Sequence, residues 1–161
     1  MIRIFVDADA CPVRDEVYRV AGRLAVSVYL VSNGSRPIRP PGLPFVEMVI
    51  VGEAMDAADD WIAEQIASGD ICVTADIPLA ARCLKKGARA VAPNGHPFTA
   101  ANIGNALAGR ELARHLRELG AGGKGPPPFS KADRSRFLSA LDAAVTAARR
   151  DQPPGAPCAS T

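Results

Sequence analysis

Aromatic residues are scarce in this chain, at 5% of 161 positions with a single Trp. That leaves little material for a surface that stacks nucleic-acid bases. No apolar run approaches the roughly 18 residues of a membrane span, and Met1-Ile2-Arg3-Ile4 leads into a strand-like segment rather than a signal peptide. The expectation is a cytoplasmic protein without a membrane partner. The four cysteines, Cys11, Cys72, Cys83 and Cys158, show no CxxC or Cys/His spacing. This argues against a structural zinc site and against a disulfide-linked partner. Cys72 and Cys83 lie in apolar surroundings and read as buried, reduced thiols. What is present is 48% apolar residues, 22% charged residues, 14 Gly and 14 Pro, which excludes a coiled coil, a disordered chain and a disulfide-stapled miniprotein. The length suits one α/β domain.

Two hydrophobic periods alternate through the first hundred residues. Ile2–Val6, Val26–Val31, Phe45–Val51, Ile71–Thr74 and Ala88–Ala92 read as strands. Val13, Val17, Val20 and Leu24 recur at helical spacing after Pro12. Met55, Ala58, Ile62 and Ile66 do so before Gly69, and a short helix runs from Pro78 to Gly87. Strands interleaved with helices predict a mostly parallel five-stranded sheet with helices on both faces. Residues 33–44 are a Pro/Gly loop with no helix, so the third strand is expected at an edge or in another direction. Ile103, Leu107, Leu112, Leu116 and Leu119 trace a further amphipathic helix. Ser130 and Asp133 form a capping-box signal for a last helix carrying Leu138, Leu141, Val145 and Ala148. A single domain over 1–150 follows, with 99–150 as a helical extension packed on it and 151–161 as a disordered tail.

Asp placement carries the functional signal. In parallel α/β sheets, ligands bind beyond the carboxyl ends of the strands. Asp7 ends the first strand, with Asp9 two residues on, and Asp76 ends the fourth. Asp56 and Asp59 are i,i+3 neighbours near the buried stripe of the second helix, whereas Asp60 turns towards solvent. Residues 53–76 are rich in acids and hold no Lys or Arg. Gathered carboxylates raise one another's pKa values, and a divalent cation relieves that cost. All-oxygen donors suit Mg²⁺ or Mn²⁺, which would make phosphodiester hydrolysis the natural chemistry. Asn33 and Thr74, at neighbouring strand ends, are candidates to position phosphate or water. A plainer reading makes Asp9 or Asp76 helix caps before Pro12 and Pro78, with Asp59 and Asp60 on a solvated helix face.

Two other enzymes compete for the same residues. Asp7-Ala8-Asp9-Ala10-Cys11 resembles the DxDx[TV] opening of haloacid-dehalogenase-type phosphatases, in which the first Asp is the nucleophile. The later motifs fail, since the first lysines, Lys85 and Lys86, follow Asp76 instead of preceding it. A catalytic thiol at Cys11 is opposed by Asp7, Asp9 and Asp15, which disfavour a thiolate.

The segments Val6–Pro12, Met55–Asp59, Gly69–Ala80, Gly125–Ser130 and Asp133-Arg134 together resemble the YaiI/YqxD family of uncharacterised bacterial proteins. That family is in turn distantly similar to PIN-like nuclease domains. The resemblance implies a three-layer sandwich, with Asp7, Asp56 or Asp59, and Asp76 as metal ligands and Asp9 as an addition peculiar to the closer family. It departs from PIN nucleases on the first helix, which offers only Asp15 and Glu16. The combined expectation is a metal-dependent hydrolase acting on RNA, with Asp7 and Asp76 at the centre of catalysis. A non-catalytic RNA- or nucleotide-binding module of the same fold is the alternative. Residues 110–150 contain nine Lys/Arg against four Asp/Glu, and residues 1–109 ten against twelve, so the net charge of +2 hides an acidic half and a basic one. Arg110, Arg114 and Arg117 share a helical stripe, and Lys124, Lys131 and Arg134 flank the Gly/Pro turn. These are the candidates to track a nucleic-acid backbone.

Overall fold

The apolar run behind Asp7 forms β1 (Arg3–Asp7), the central strand of a computed structural model that describes residues 2–8, 11–34, 41–52, 56–104 and 130–151. The chain continues through α1 (Arg14–Leu24), β2 (Ser27–Ser32), β3 (Val46–Ile50), α2 (Ala57–Gln65), β4 (Ile71–Val73) and α3 (Ile77–Lys85). It ends with β5 (Arg89–Val91), β6 (Pro97–Phe98) and α4 (Lys131–Asp151). The sheet order is β3-β2-β1-β4-β5-β6, parallel except for β6. Winding therefore reverses between β1 and β4, where a crevice opens at the strand ends.

Alternation along each strand divides the core into two layers. Ile4, Val6, Leu30 and Val73 face α1 and α4, where they meet Val17, Val20, Phe137 and Leu141. Phe5, Val31, Cys72 and Ala90 face α2 and α3, against Ile62, Leu79 and Cys83. This is a three-layer α/β sandwich with an open sheet. Trp61 packs on the second face in tilted contact with Phe5 and Tyr29.

The five-stranded expectation is corrected to six. The added strand β6 has two residues, too few to show a period, and its Pro97 sits at a sheet edge, where a missing N–H costs no ladder bond. The strand after the Pro/Gly loop is parallel to β2 and lies at the opposite edge. The capping box before α4 forms reciprocally: Asp133 N donates to Ser130 Oγ at 3.1 Å and Ser130 N donates to Asp133 Oδ2 at 3.0 Å. A similar exchange between Thr99 and Asn102 opens a helical turn at Ile103. The remainder of the expected 103–119 helix lies outside the described residues, as do residues 152–161. Asp151, expected in the tail, is helical and pairs with Arg89. Among the described residues, no helix is long and apolar enough to cross a membrane.

Candidate functional site

Register sets the site. Val6 pairs with Val73, so Asp7 and Thr74 come next, side by side, where β1 and β4 end. Thr74 is buried, and its hydroxyl donates to Asp7 Oδ2 at 3.3 Å while accepting from Asp76 N at 2.9 Å. One side chain thus ties the first carboxylate to the backbone of the last. Asp7 lies on the Phe5 side of β1, the face that α2 and α3 cover.

Asp76 is the N-cap of α3, and its Oδ1 accepts from Leu79 N at 2.9 Å, with Pro78 in the first turn. The capping reading of Asp76 is therefore correct. Ala58 and Ile62 anchor α2 in the core and bring half-buried Asp59 to the same place. Burial comes first, then the charges of Asp76, Asp7 and Asp56, in pushing the Asp59 pKa from 3.8 up to about 7. A hydrogen bond that protonated Asp59 donates to Asp76 adds to the rise.

Asp56 precedes α2 instead of lying on it. It occupies the N-cap with a left-handed φ of 68° and makes no side-chain cap bond. Its exposed carboxylate is the outermost of the group. Asp60 turns away to pair with Arg82 at 2.9 Å. Asp9 lies outside the described residues. Asn33 follows β2 at the same end of the sheet, half-buried beside Ser32. Ser32 itself is fully buried and accepts from Gly34 N at 3.1 Å. Ser32 is not among the candidate site residues of the sequence, although a hydroxyl at a strand terminus next to Asn33 is a visible signal.

The donors Asp7, Asp59 and Asp76 are all oxygen and all of one charge, which is the chemistry of a hard divalent cation. Among the described residues, no three such groups close around one point. The carboxylates are near enough to perturb Asp59, while Asp76 Oδ1 is turned to its helix and Asp7 Oδ2 to Thr74.

The rim of the site is held from the C-terminal helix. Arg134 donates to the Pro12 carbonyl and to Glu16 Oε1, each at 2.9 Å. Glu16 is buried on α1, and its Oε2 has no hydrogen-bond partner among the described residues. Lys131 is exposed at the start of α4, whereas Arg110, Arg114, Arg117 and Lys124 lie outside the described residues. Burial, with Asp7 and Glu16 in support, pushes the Cys11 thiol from 9.0 up to about 11, against a nucleophilic thiolate. Lys86, one of the lysines a phosphatase would need beside Asp7, holds the Ala63 and Glu64 carbonyls at the far end of α2.

Fold and site together define a doubly wound α/β domain with a carboxylate group at its switch point. Residues 5–147 match the family described as "Uncharacterized BCR, YaiI/YqxD family". The chain belongs to that family. It is 55% identical over 153 residues to a UPF0178 protein of Paramagnetospirillum magneticum, covering 95% of this chain and 100% of the relative. It is 59% identical over 145 residues to a UPF0178 protein of Rhodopseudomonas palustris, covering 90% of each. A UPF0178 protein of Rhodospirillum centenum is 56% identical over 154 residues, 93% of this chain and 99% of the relative. No solved structure matches significantly.

Proposed function

We propose that the protein is a PIN-like, divalent-metal-dependent phosphodiester hydrolase acting on RNA. The observation that carries this reading is the nearness of Asp59 on α2 to Asp7 at the end of β1 and Asp76 at the start of α3, with Asp59 raised to about 7 by burial and then by these acidic neighbours. Unrelieved, that repulsion is a cost with no structural return. A bound cation turns it into affinity. Asp7, Asp59 and Asp76 would hold Mg²⁺ or Mn²⁺, with Asp9 and Asp56 completing the set. When bound, such an ion polarises a phosphoryl oxygen and makes a water nucleophilic at neutral pH. The chain's own part is positional. Thr74 fixes the Asp7 carboxylate relative to the Asp76 backbone, and Asn33, at the next strand end, orients phosphate or water.

The Asp76–Leu79 capping bond favours a second reading, in which the fold persists as a non-catalytic RNA- or nucleotide-binding module. Thermal unfolding with Mn²⁺ at pH 8 begins to separate the two. The hydrolase reading expects a rise in Tm for the wild type that is lost in Asp7→Asn/Asp76→Asn. An unchanged wild-type Tm overturns the metal site. With the shift in hand, a labelled single-stranded RNA should be cleaved by the wild type and not by the double variant. Intact RNA would leave the binding module.

A further inference from the structure

A polar seam runs the length of the α1–α4 contact, on the face of the sheet opposite α2 and α3. Near the crevice, Arg134 of α4 meets Glu16 of α1. Further down, Arg23 pairs with Asp142, and at the far end Arg149 donates to the Leu24 carbonyl. The two helices therefore run side by side in the same direction, both starting at the crevice end. Two adjoining hollows of about 550 and 390 Å³ open along the lower part of this seam, sharing Arg23 and Leu138. Arg150 lines the larger and Arg19 the smaller.

The charge of this groove is one-sided. Arg19, Arg23 and Arg150 face a single acid, Asp142, whose charge Arg23 already meets. Arg19 and Arg150 are exposed and have no anionic partner among the described residues. Between them lie the Leu138 side chain and the hydroxyls of Ser139 and Thr146. From Leu138 to Arg150 the helix rises about 18 Å at roughly 1.5 Å per residue, long enough for several successive phosphates. Guanidinium groups at the rims, hydroxyls on the wall and an apolar side chain between them match a sugar–phosphate strand better than a compact anion.

We propose that the α1–α4 groove binds the backbone of a single-stranded nucleic acid and leads it towards the acidic crevice. The strand occupies the hollows with its phosphates on Arg19 and Arg150, and its bases are left unread. The destination of the strand rests on the hydrolase reading, but the groove itself does not.

The test is fluorescence anisotropy with labelled 12-nucleotide RNA and DNA, run in EDTA so that cleavage plays no part. Arg19→Ala/Arg150→Ala should weaken binding at least about tenfold and flatten the log–log salt dependence by roughly 1.4, about 0.7 for each lost phosphate contact. Asp142→Asn, which removes the one acid lining the groove among the described residues, should tighten binding. Asp7→Asn/Asp76→Asn should bind at least as well as the wild type, so failure of the metal site leaves this result standing. Unchanged affinity in the double arginine variant overturns the proposal, as does an absence of RNA and DNA binding. Displacement by polyglutamate at equal charge concentration also overturns it, since the groove would then be a site for acidic proteins. Preference for RNA over DNA, or its absence, assigns the strand the groove takes.

Discussion

Asp59 is the residue at which the site and the stability of the protein meet. Its pKa rises from 3.8 to about 7, so between these values the folded chain holds a proton that the unfolded chain has released. The contribution of Asp59 to stability must therefore fall as pH rises from about 4 to about 7 and level off above that. Asp59→Asn removes this penalty. The variant should match the wild type in urea unfolding near pH 4 and exceed it at pH 8. The gain should be on the order of 1 kcal/mol, because water at this half-exposed position screens much of the repulsion. A wild type whose stability rises between pH 5 and 8 in the presence of Mn²⁺, and falls in EDTA, would link the same carboxyl to a cation. Gly95 shows the opposite case, a residue fixed by shape alone. Its φ is +89°, and an added Cβ would stand 2.6 Å from the Arg136 backbone carbon, so the turn after β5 reaches α4 only without a side chain.

At the scale of elements, local chemistry sets the boundaries that matter. The Ser130–Asp133 box starts α4, and Ser130→Ala should cost about 1 kcal/mol in chemical denaturation with the helix otherwise retained. That box, the α1 stripe and the β1–β4 switch point were all legible in the sequence, because each is written as a short spacing of residue types. The strand-end placement of Asp7 and Asp76 was legible for the same reason, since Asp7 follows an apolar run directly and Asp76 comes three residues after Val73. What escaped was whatever depends on the third dimension. β6 is two residues at an edge. Asp56 takes a left-handed cap that spacing along an ideal helix cannot foresee. Buried Asp70 accepts from Arg3 N at 3.1 Å and from Ala67 N at 2.9 Å, anchoring the start of β1 to the turn before β4. Arg134, expected to meet phosphate, is held by Glu16 and the Pro12 carbonyl across more than a hundred residues of chain.

For the whole molecule the question is whether α4 is an appendage or part of one folding unit. Phe137 and Leu141 of α4 are fully buried in the same layer as Val6, Leu30 and Val73, so the helix completes the core that the sheet begins. The ties of α4 to Pro12 and Glu16 near one end and to Leu24 at the other repeat this along its length. Phe137→Ala should then cost about 3–5 kcal/mol, the transfer energy of the ring plus the cavity it leaves. The informative readout is Trp61, the single tryptophan, which sits on the opposite face of the sheet against Phe5 and Tyr29. In one cooperative unit, tryptophan fluorescence and far-ultraviolet circular dichroism shift to lower urea together, with coincident midpoints. If α4 were only docked on a self-sufficient sheet, the Trp61 transition would stay at its wild-type midpoint while helical signal was lost earlier. Shared burial across the sheet predicts the first outcome. It also explains how a C-terminal helix can hold the rim of a site built from the first strand.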